Sequence, residues 1–252
     1  MKPNKLLCLK AVVCLSVLLL ATGCSETNVT ETFYAMGGIP VNIIASDVSE
    51  EWLKEATSLA GKEVEKWEAE LSLYRPDSAV NRVATASDEP VVFSERGFEA
   101  ITIANKLEKI TGGAFDVTVG PIIKTWKNAE KEDRLPTEQE LADALAVTGF
   151  EHLVLDADTR SICPRPLDHE NIAYPDVRID VGGFAKGLFA EWISEEIIAK
   201  AKADNVQPGK LLIDLGGDMF VTSHPEKGPC KVGIRDPFAT DRSALWGVVT
   251  LN

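Results

Sequence analysis

Hydrophobic positions along this chain recur with two periods, and the switches between them predict its elements. Val177, Ile179 and Val181 alternate with Arg178 and Asp180, the two-residue period of a half-buried strand. Gly182 and Gly183 end that run, and Phe189, Trp192, Ile193, Ile197 and Ala201 then recur at helical spacing. The stretch predicts strand, glycine turn and helix, with Asp180 at the strand's end and Lys186 entering the helix.

Other segments follow the same logic. Residues 33–38 and 41–45 predict two strands separated by a glycine break. Ser49 is placed to cap a helix whose first turn holds Glu50 and Glu51. Its apolar stripe runs through Trp52, Ala56, Leu59, Ala60, Val64, Trp67 and Leu71, which makes those tryptophans core residues. Residues 72–78 leave it as a loop. Residues 94–110 predict a second helix, with Phe98, Ile101 and Leu107 facing inward and glycine at 112 to stop it. Residues 114–119 form a β-prone run, Thr137 and Glu140 a capping box, and residues 152–155 a short strand before a loop-rich stretch to 176. Residues 210–215, 231–234 and 245–251 read as further strands.

No linker, repeat or low-complexity tract divides residues 33–252, so one α+β (mixed α/β) domain is expected, with helices packed on mixed sheets. At least seven strands and four sizeable helices are predicted. Residues 245–251 are apolar and have no turn behind them. An unpaired run of that kind is an aggregation hazard, so the C-terminal part of the domain is expected to be missing.

The start of the chain has a different composition. Lys2, Lys5 and Lys10 lead into an apolar run over residues 6–20, closed by Ala21, Thr22, Gly23 and Cys24. The run is shorter than the roughly 20 residues that span a bilayer. A basic start, a short apolar run and small residues before a cysteine predict a lipoprotein signal over residues 1–23, with Cys24 diacylated and residues 24–32 as lipidated start and tether. Each buried acyl CH₂ contributes about 0.8 kcal/mol, so multiple chains anchor firmly. The expected location is the periplasmic or cell-surface side of a membrane.

The net charge is −13, and the first 23 residues carry three lysines and no acid, so the chain without them stands three charges lower, at −16. Nucleic acid is excluded as a partner by that charge. A pyrophosphate would be repelled too unless a cation intervenes. With Cys8 and Cys14 in the leader and Cys24 lipidated, Cys163 and Cys230 are the remaining thiols, free to form one disulfide if the fold brings them together. His152, His169 and His224 are scattered without zinc-ligand spacing.

Candidate chemistry concentrates where glycines meet acids. Glycines admit a ligand to the backbone, and free N–H groups at a helix start favour anions. Asp180 could fix a hydroxyl, a ring N–H or, through water, a cation, and Lys186 could meet a phosphate; an ordinary surface connection is the bland alternative. Asp116, a lone acid after Gly112 and Gly113, is a site residue or a turn cap. Tyr74 and Arg75 beside Pro76 could clamp a ring and a phosphate, although such loops are common.

Taken in order, Met36-Gly37, Tyr74-Arg75-Pro76-Asp77-Ser78, the run from Gly113 through Phe115, Asp116 and Thr118 to Gly120-Pro121, the run from Asp180 to Ala185-Lys186-Gly187, and Gly216-Gly217-Asp218 resemble the ApbE family of FAD:protein FMN transferases. The resemblance spans residues 33–252. It implies an ApbE-like (T-fold-like) architecture and a magnesium-dependent enzyme that moves FMN from FAD to a Thr or Ser hydroxyl of a partner flavoprotein, such as a subunit of a membrane redox complex, releasing AMP. It further implies flavin-nucleotide contacts at Met36, Tyr74, Ala114, Phe115, Asp116, Asp180 and Lys186, and a Mg²⁺ ligand in the Gly183 carbonyl. No catalytic residue is assigned. The family's later His-x-x-Asp-Pro and Ala-Asp-x-x-x-Thr segments have no counterpart after Ile234, so weak magnesium binding and little activity are expected of these residues alone. The alternatives are an FAD pyrophosphatase, a non-catalytic FAD-binding lipoprotein, and a scaffolding lipoprotein. A Rossmann dehydrogenase is disfavoured, because no Gly-x-Gly-x-x-Gly follows an early strand.

Overall fold

The computed structural model describes residues 28–87, 89–167, 176–241 and 243–251. The leader, Cys24, the first residues of the tether and His169 lie outside them. Strands β1 (Asn28–Ala35) and β2 (Ile39–Ser46) form an antiparallel hairpin with Thr32 opposite Asn42. Residues 28–32, expected as tether, are therefore the first positions of a paired strand. The connecting turn carries positive φ at Met36, Gly37 and Gly38. Glycine adopts that region without steric cost; Met36 does not.

Helix α1 (Glu50–Leu71) starts where the sequence indicates, with the Ser49 side chain accepting from the Trp52 N–H. Leu59 departs from the expected stripe and is 40% exposed, and Leu53 is buried in its place. A short helix α2 (Ala79–Thr85) and a two-residue strand β3 (Val91–Val92) lead to α3 (Glu95–Thr111), capped by Ser94 and ended by Gly112 in the left-handed region. Next come α4 (Gly120–Lys131), then α5 (Glu138–Leu145), which opens with the predicted Thr137–Glu140 capping box. Strands β4 (Leu153–Asp156) and β5 (Ser161–Pro164) pair antiparallel, so the stretch read as loop contains a strand. Helix α6 (Ala185–Ala203) follows, then β6 (Lys210–Leu215), β7 (Asp218–Ser223), β8 (Cys230–Arg235) and β9 (Leu245–Leu251).

The principal sheet has the order β1-β2-β6-β7, a smaller one β3-β5-β4, and β8 pairs with β9. All of these pairings are antiparallel, which corrects the expectation of mixed sheets. Residues 245–251, expected to be unpaired, lie along β8. Cys163 and Cys230 are free thiols. Among the described residues no helix is long and apolar enough to cross a membrane.

The stretch 177–181 alternates in burial as the period predicted, with Val177, Ile179 and Val181 inside. Among the described residues it forms a single parallel bridge, Val119 to Arg178. The physical reason lies in its neighbour. The chain at 117–120 turns at once into α4, so no further residue is available to extend a ladder. The β-prone reading of residues 114–119 fails for the same reason. Asp116 accepts from both the N–H and the hydroxyl of Thr118, a turn that folds the chain back toward the helix.

Helices α1 and α6 cover one face of the principal sheet and pack on each other. Trp67 of α1 meets Phe189 and Trp192 of α6 edge-on, at ring centroid distances of 5.4 and 5.0 Å. Such pairs contribute about 0.5–1.5 kcal/mol beyond their buried area. Trp52 donates its ring N–H to Asp204 at the far end of α6. This interface fixes the start of α6, and with it the glycine turn before it.

Candidate functional site

A cleft of about 410 Å³ opens between the end of α1, the loop after it, helix α4, and the 178–182 turn. Its floor is apolar and buried: Leu71 from α1, Val181, and Ala185 and Phe189 from α6. Phe189 belongs to the aromatic cluster as well, so the floor is as rigid as the α1–α6 interface.

Three of the residues expected in a nucleotide site line this cleft from separate parts of the chain. Met36 reaches it from the β1–β2 turn, Tyr74 from the loop after α1, and Asp180 from the stretch after β5. Met36 is held there by its own N–H, which donates to the Glu68 carboxylate. The Tyr74 loop is pinned by Asn81, whose side-chain amide donates to the carbonyls of Leu73 and Arg75 at 3.0 and 2.8 Å. Tyr74 itself is 84% exposed at the rim, with its ring available to a ligand. Arg75 turns away toward Asp77 and does not line the cleft.

Asp180 is fixed from both sides. Its N–H donates to the Val117 carbonyl at 2.6 Å, and its Oδ1 accepts from the Gly182 N–H at 2.8 Å. A Cβ at Gly182 would lie 3.0 Å from that same oxygen, so glycine is what lets the carboxylate fold over the turn.

The remaining predicted residues stand beside the cleft. Asp116 acts as the turn cap already described, one residue before the Val117 carbonyl that holds Asp180. Thr118, fully buried, passes the network on by accepting the Gly149 N–H at 2.6 Å. Phe115 packs edge-on against Phe184 and lies against Gly183, 3.4 Å from where a Cβ would be. Ala114 is exposed in the turn after α3. Lys186, in the first turn of α6, extends its ammonium to Asp218 at 2.7 Å. The two glycine–acid stretches Asp180–Gly187 and Asp214–Asp218 thus meet through an ion pair. Asp214 accepts from the Gly217 N–H at 2.7 Å, which shapes the hairpin that presents Asp218.

Several lining residues were not anticipated. Lys124, Lys127 and Lys131 come from α4, and Arg178 from beside Asp180. The three lysines share one helical face at i, i+3 and i+7, a signal present in the sequence but overshadowed by the β-prone run before it. Lys124 and Arg178 both pair with Asp176, at 3.1 and 3.2 Å. Burial pushes the Asp176 carboxyl up, but the Lys124 hydrogen bond and the Arg178 charge outweigh it and leave it below its ordinary range. Helix α4 approaches Arg178 closely because residue 120 is glycine: a Cβ there would sit 2.4 Å from the Arg178 Cβ and 2.6 Å from its carbonyl oxygen.

For magnesium the described residues supply little. Gly183 offers one carbonyl, and no three His, Cys, Asp or Glu side chains converge among the described residues. Magnesium keeps near-octahedral oxygen coordination, partly from water. One carbonyl does not define such a site.

Comparison with known proteins places these observations. The ApbE family profile matches residues 36–252. Over 192 residues the chain is 28% identical to the FAD:protein FMN transferase of Haemophilus influenzae, covering 73% of this chain and 51% of that protein. Over 259 residues it is 28% identical to the Salmonella typhimurium protein of the same name, covering 95% of this chain and 68% of that one. The chain spans about half the length of most of the curated relatives it matches. Among solved structures, flavin transferase ApbE of Vibrio cholerae is similar with a TM-score of 0.67 at 23% identity, over 89% of this chain and 67% of that chain. The Pseudomonas stutzeri flavinyl transferase ApbE, in its apo form, gives 0.68 at 19% identity, over 90% and 66%. At these identities the structural likeness speaks for the fold alone.

Proposed function

The chain belongs to the ApbE family, and on that premise we propose that it transfers FMN from FAD to a Ser or Thr hydroxyl of a partner protein, releasing AMP. The observation that supports this reading is the convergence of Met36, Tyr74 and Asp180 on one apolar-floored cleft, from stretches far apart in sequence. The relatives named FAD:protein FMN transferase support the same reading.

In this proposal the exposed Tyr74 ring closes over a planar group seated on Leu71 and Phe189. Asp180 accepts from a ring N–H or a ribose hydroxyl. Lys186 swings from Asp218 to a phosphate oxygen. The acceptor hydroxyl oxygen attacks the FMN phosphorus, the bond from that phosphorus to the bridging oxygen breaks, AMP leaves with the bonding pair, and the hydroxyl proton passes to water. Positioning of the two reactants is what these side chains contribute. A divalent cation would neutralise pyrophosphate charge. No three His, Cys, Asp or Glu side chains converge to hold it among the described residues, so no step is assigned to it. The proposal includes a lipid anchor at Cys24 on the periplasmic or cell-surface side, and an acceptor such as a subunit of a membrane redox complex.

The test is incubation with FAD and a hydroxyl-bearing acceptor domain, with and without Mg²⁺, following AMP and covalently bound flavin. Transfer yields both. AMP without bound flavin identifies a pyrophosphatase, and FAD binding without AMP identifies a carrier. If FAD gives neither binding nor AMP, the proposal is wrong. Asp180→Ala is expected to weaken FAD binding in the transferase and carrier cases alike.

A further inference from the structure

One wall of the cleft is basic, and the roles above leave it unused. Lys124, Lys127 and Lys131 line it from α4, spanning about 10 Å along the helix axis, and Arg178 stands at its foot. Lys124 and Arg178 share the single carboxylate of Asp176. Lys127 and Lys131 pair with no acid among the described residues. The acids that line the cleft are otherwise committed. Glu68 accepts from the Met36 N–H and Asp180 from the Gly182 N–H. In a chain with 39 acids against 26 lysines and arginines, this gathering runs against the average. Its place is fixed as well, because the Gly120 N–H donates to the Arg178 carbonyl at 3.2 Å and locks α4 beside Asp180.

Resting on the flavin-nucleotide reading above, we propose that this wall binds the phosphates together with Lys186, with Lys127 and Lys131 as the wall's principal contacts. An ammonium on a flexible stem suits phosphate oxygens that need a point charge. The apolar floor takes the ring, the basic wall takes the phosphates, and the chain thereby prefers FAD to riboflavin before any divalent ion binds. The wall also answers the electrostatic objection raised by the net charge, since field lines in a cleft follow the local charges.

The test uses Lys127→Ala/Lys131→Ala and Lys127→Glu/Lys131→Glu; both side chains are exposed, and circular dichroism checks that the variants fold. Dissociation constants for FAD, FMN and riboflavin are measured by flavin fluorescence without divalent ions, at low and high salt. The alanine pair is expected to weaken FAD binding about tenfold, allowing for solvent screening of exposed charges. The glutamate pair weakens it further, riboflavin stays within about twofold, and added salt erodes the FAD preference. Equal FAD affinity in wild type and the glutamate pair overturns the inference and leaves the flavin reading intact. The same holds if FAD affinity is unchanged and only acceptor modification falls, which assigns the wall to an acidic acceptor surface. A wild-type chain that binds neither FAD nor riboflavin overturns the flavin reading itself, and this subsite with it.

Discussion

Gly120→Ala separates two physical effects of opposite sign. Gly120 is the first residue of α4, and alanine in a helix is more favourable than glycine by about 1 kcal/mol. Its φ is not in the left-handed region, so the backbone itself permits alanine. The packing does not. The new Cβ would meet the Arg178 Cβ at 2.4 Å, its carbonyl oxygen at 2.6 Å and its carbonyl carbon at 3.0 Å. Two of these are backbone atoms, so a rotamer change cannot relieve them. Overpacking of this kind costs about 1–3 kcal/mol, and opening the gap loses the Gly120–Arg178 hydrogen bond, worth about 1 kcal/mol. Set against the propensity gain, a net destabilisation of about 1–3 kcal/mol follows, or about 2–12 °C in Tm for a chain of this size. Urea denaturation gives the free energy and calorimetry the midpoint. Because the strain lies between α4 and Asp180, FAD binding of the folded variant is expected to weaken alongside. A variant as stable as wild type, or more so, would show that α4 and the 178–180 segment are not locked together, and the account of the cleft wall would lose its anchor.

Thr118→Val removes a hydroxyl that serves the Asp116 carboxylate and the buried Gly149 N–H together. Leaving that donor without a partner costs about 1–3 kcal/mol, measurable by urea denaturation, and Thr118→Ser is expected to recover much of it. A pH titration supplies a different check. The Arg134 side chain, helped by the backbone and hydroxyl of Thr137, holds the Glu140 carboxyl down to about 2. A carboxylate with a lowered folded pKa contributes stability that is complete above its unfolded value, about 4.3, and fades as pH falls toward 2. Carboxyl NMR should place the Glu140 midpoint near 2, and Arg134→Ala should move it up; a midpoint unmoved by Arg134→Ala would count against the pairing.

The sequence by itself determined the elements whose causes are local. Ser49, Ser94, Thr137 and Gly112 bound helices through groups within a few residues of themselves, and the α1 and α6 stripes follow from helical period alone. Asp180 was marked locally by the glycine turn after it and Tyr74 by the composition of its loop, whereas Met36 entered only through the resemblance to the family's motifs. Tertiary structure decided what depends on a distant partner. The alternation at 177–181 stayed a single bridge because the segment beside it turned away into α4. Residues 28–32 became strand because β2 lay ready to pair with them. The basic wall exists only where Gly120 brings α4 against Arg178, and the Lys186–Asp218 pair only where α6 meets the β6–β7 hairpin. Periodicity reports which face of an element is apolar; which other element covers that face depends on contacts across long stretches of chain, and no local pattern encodes it.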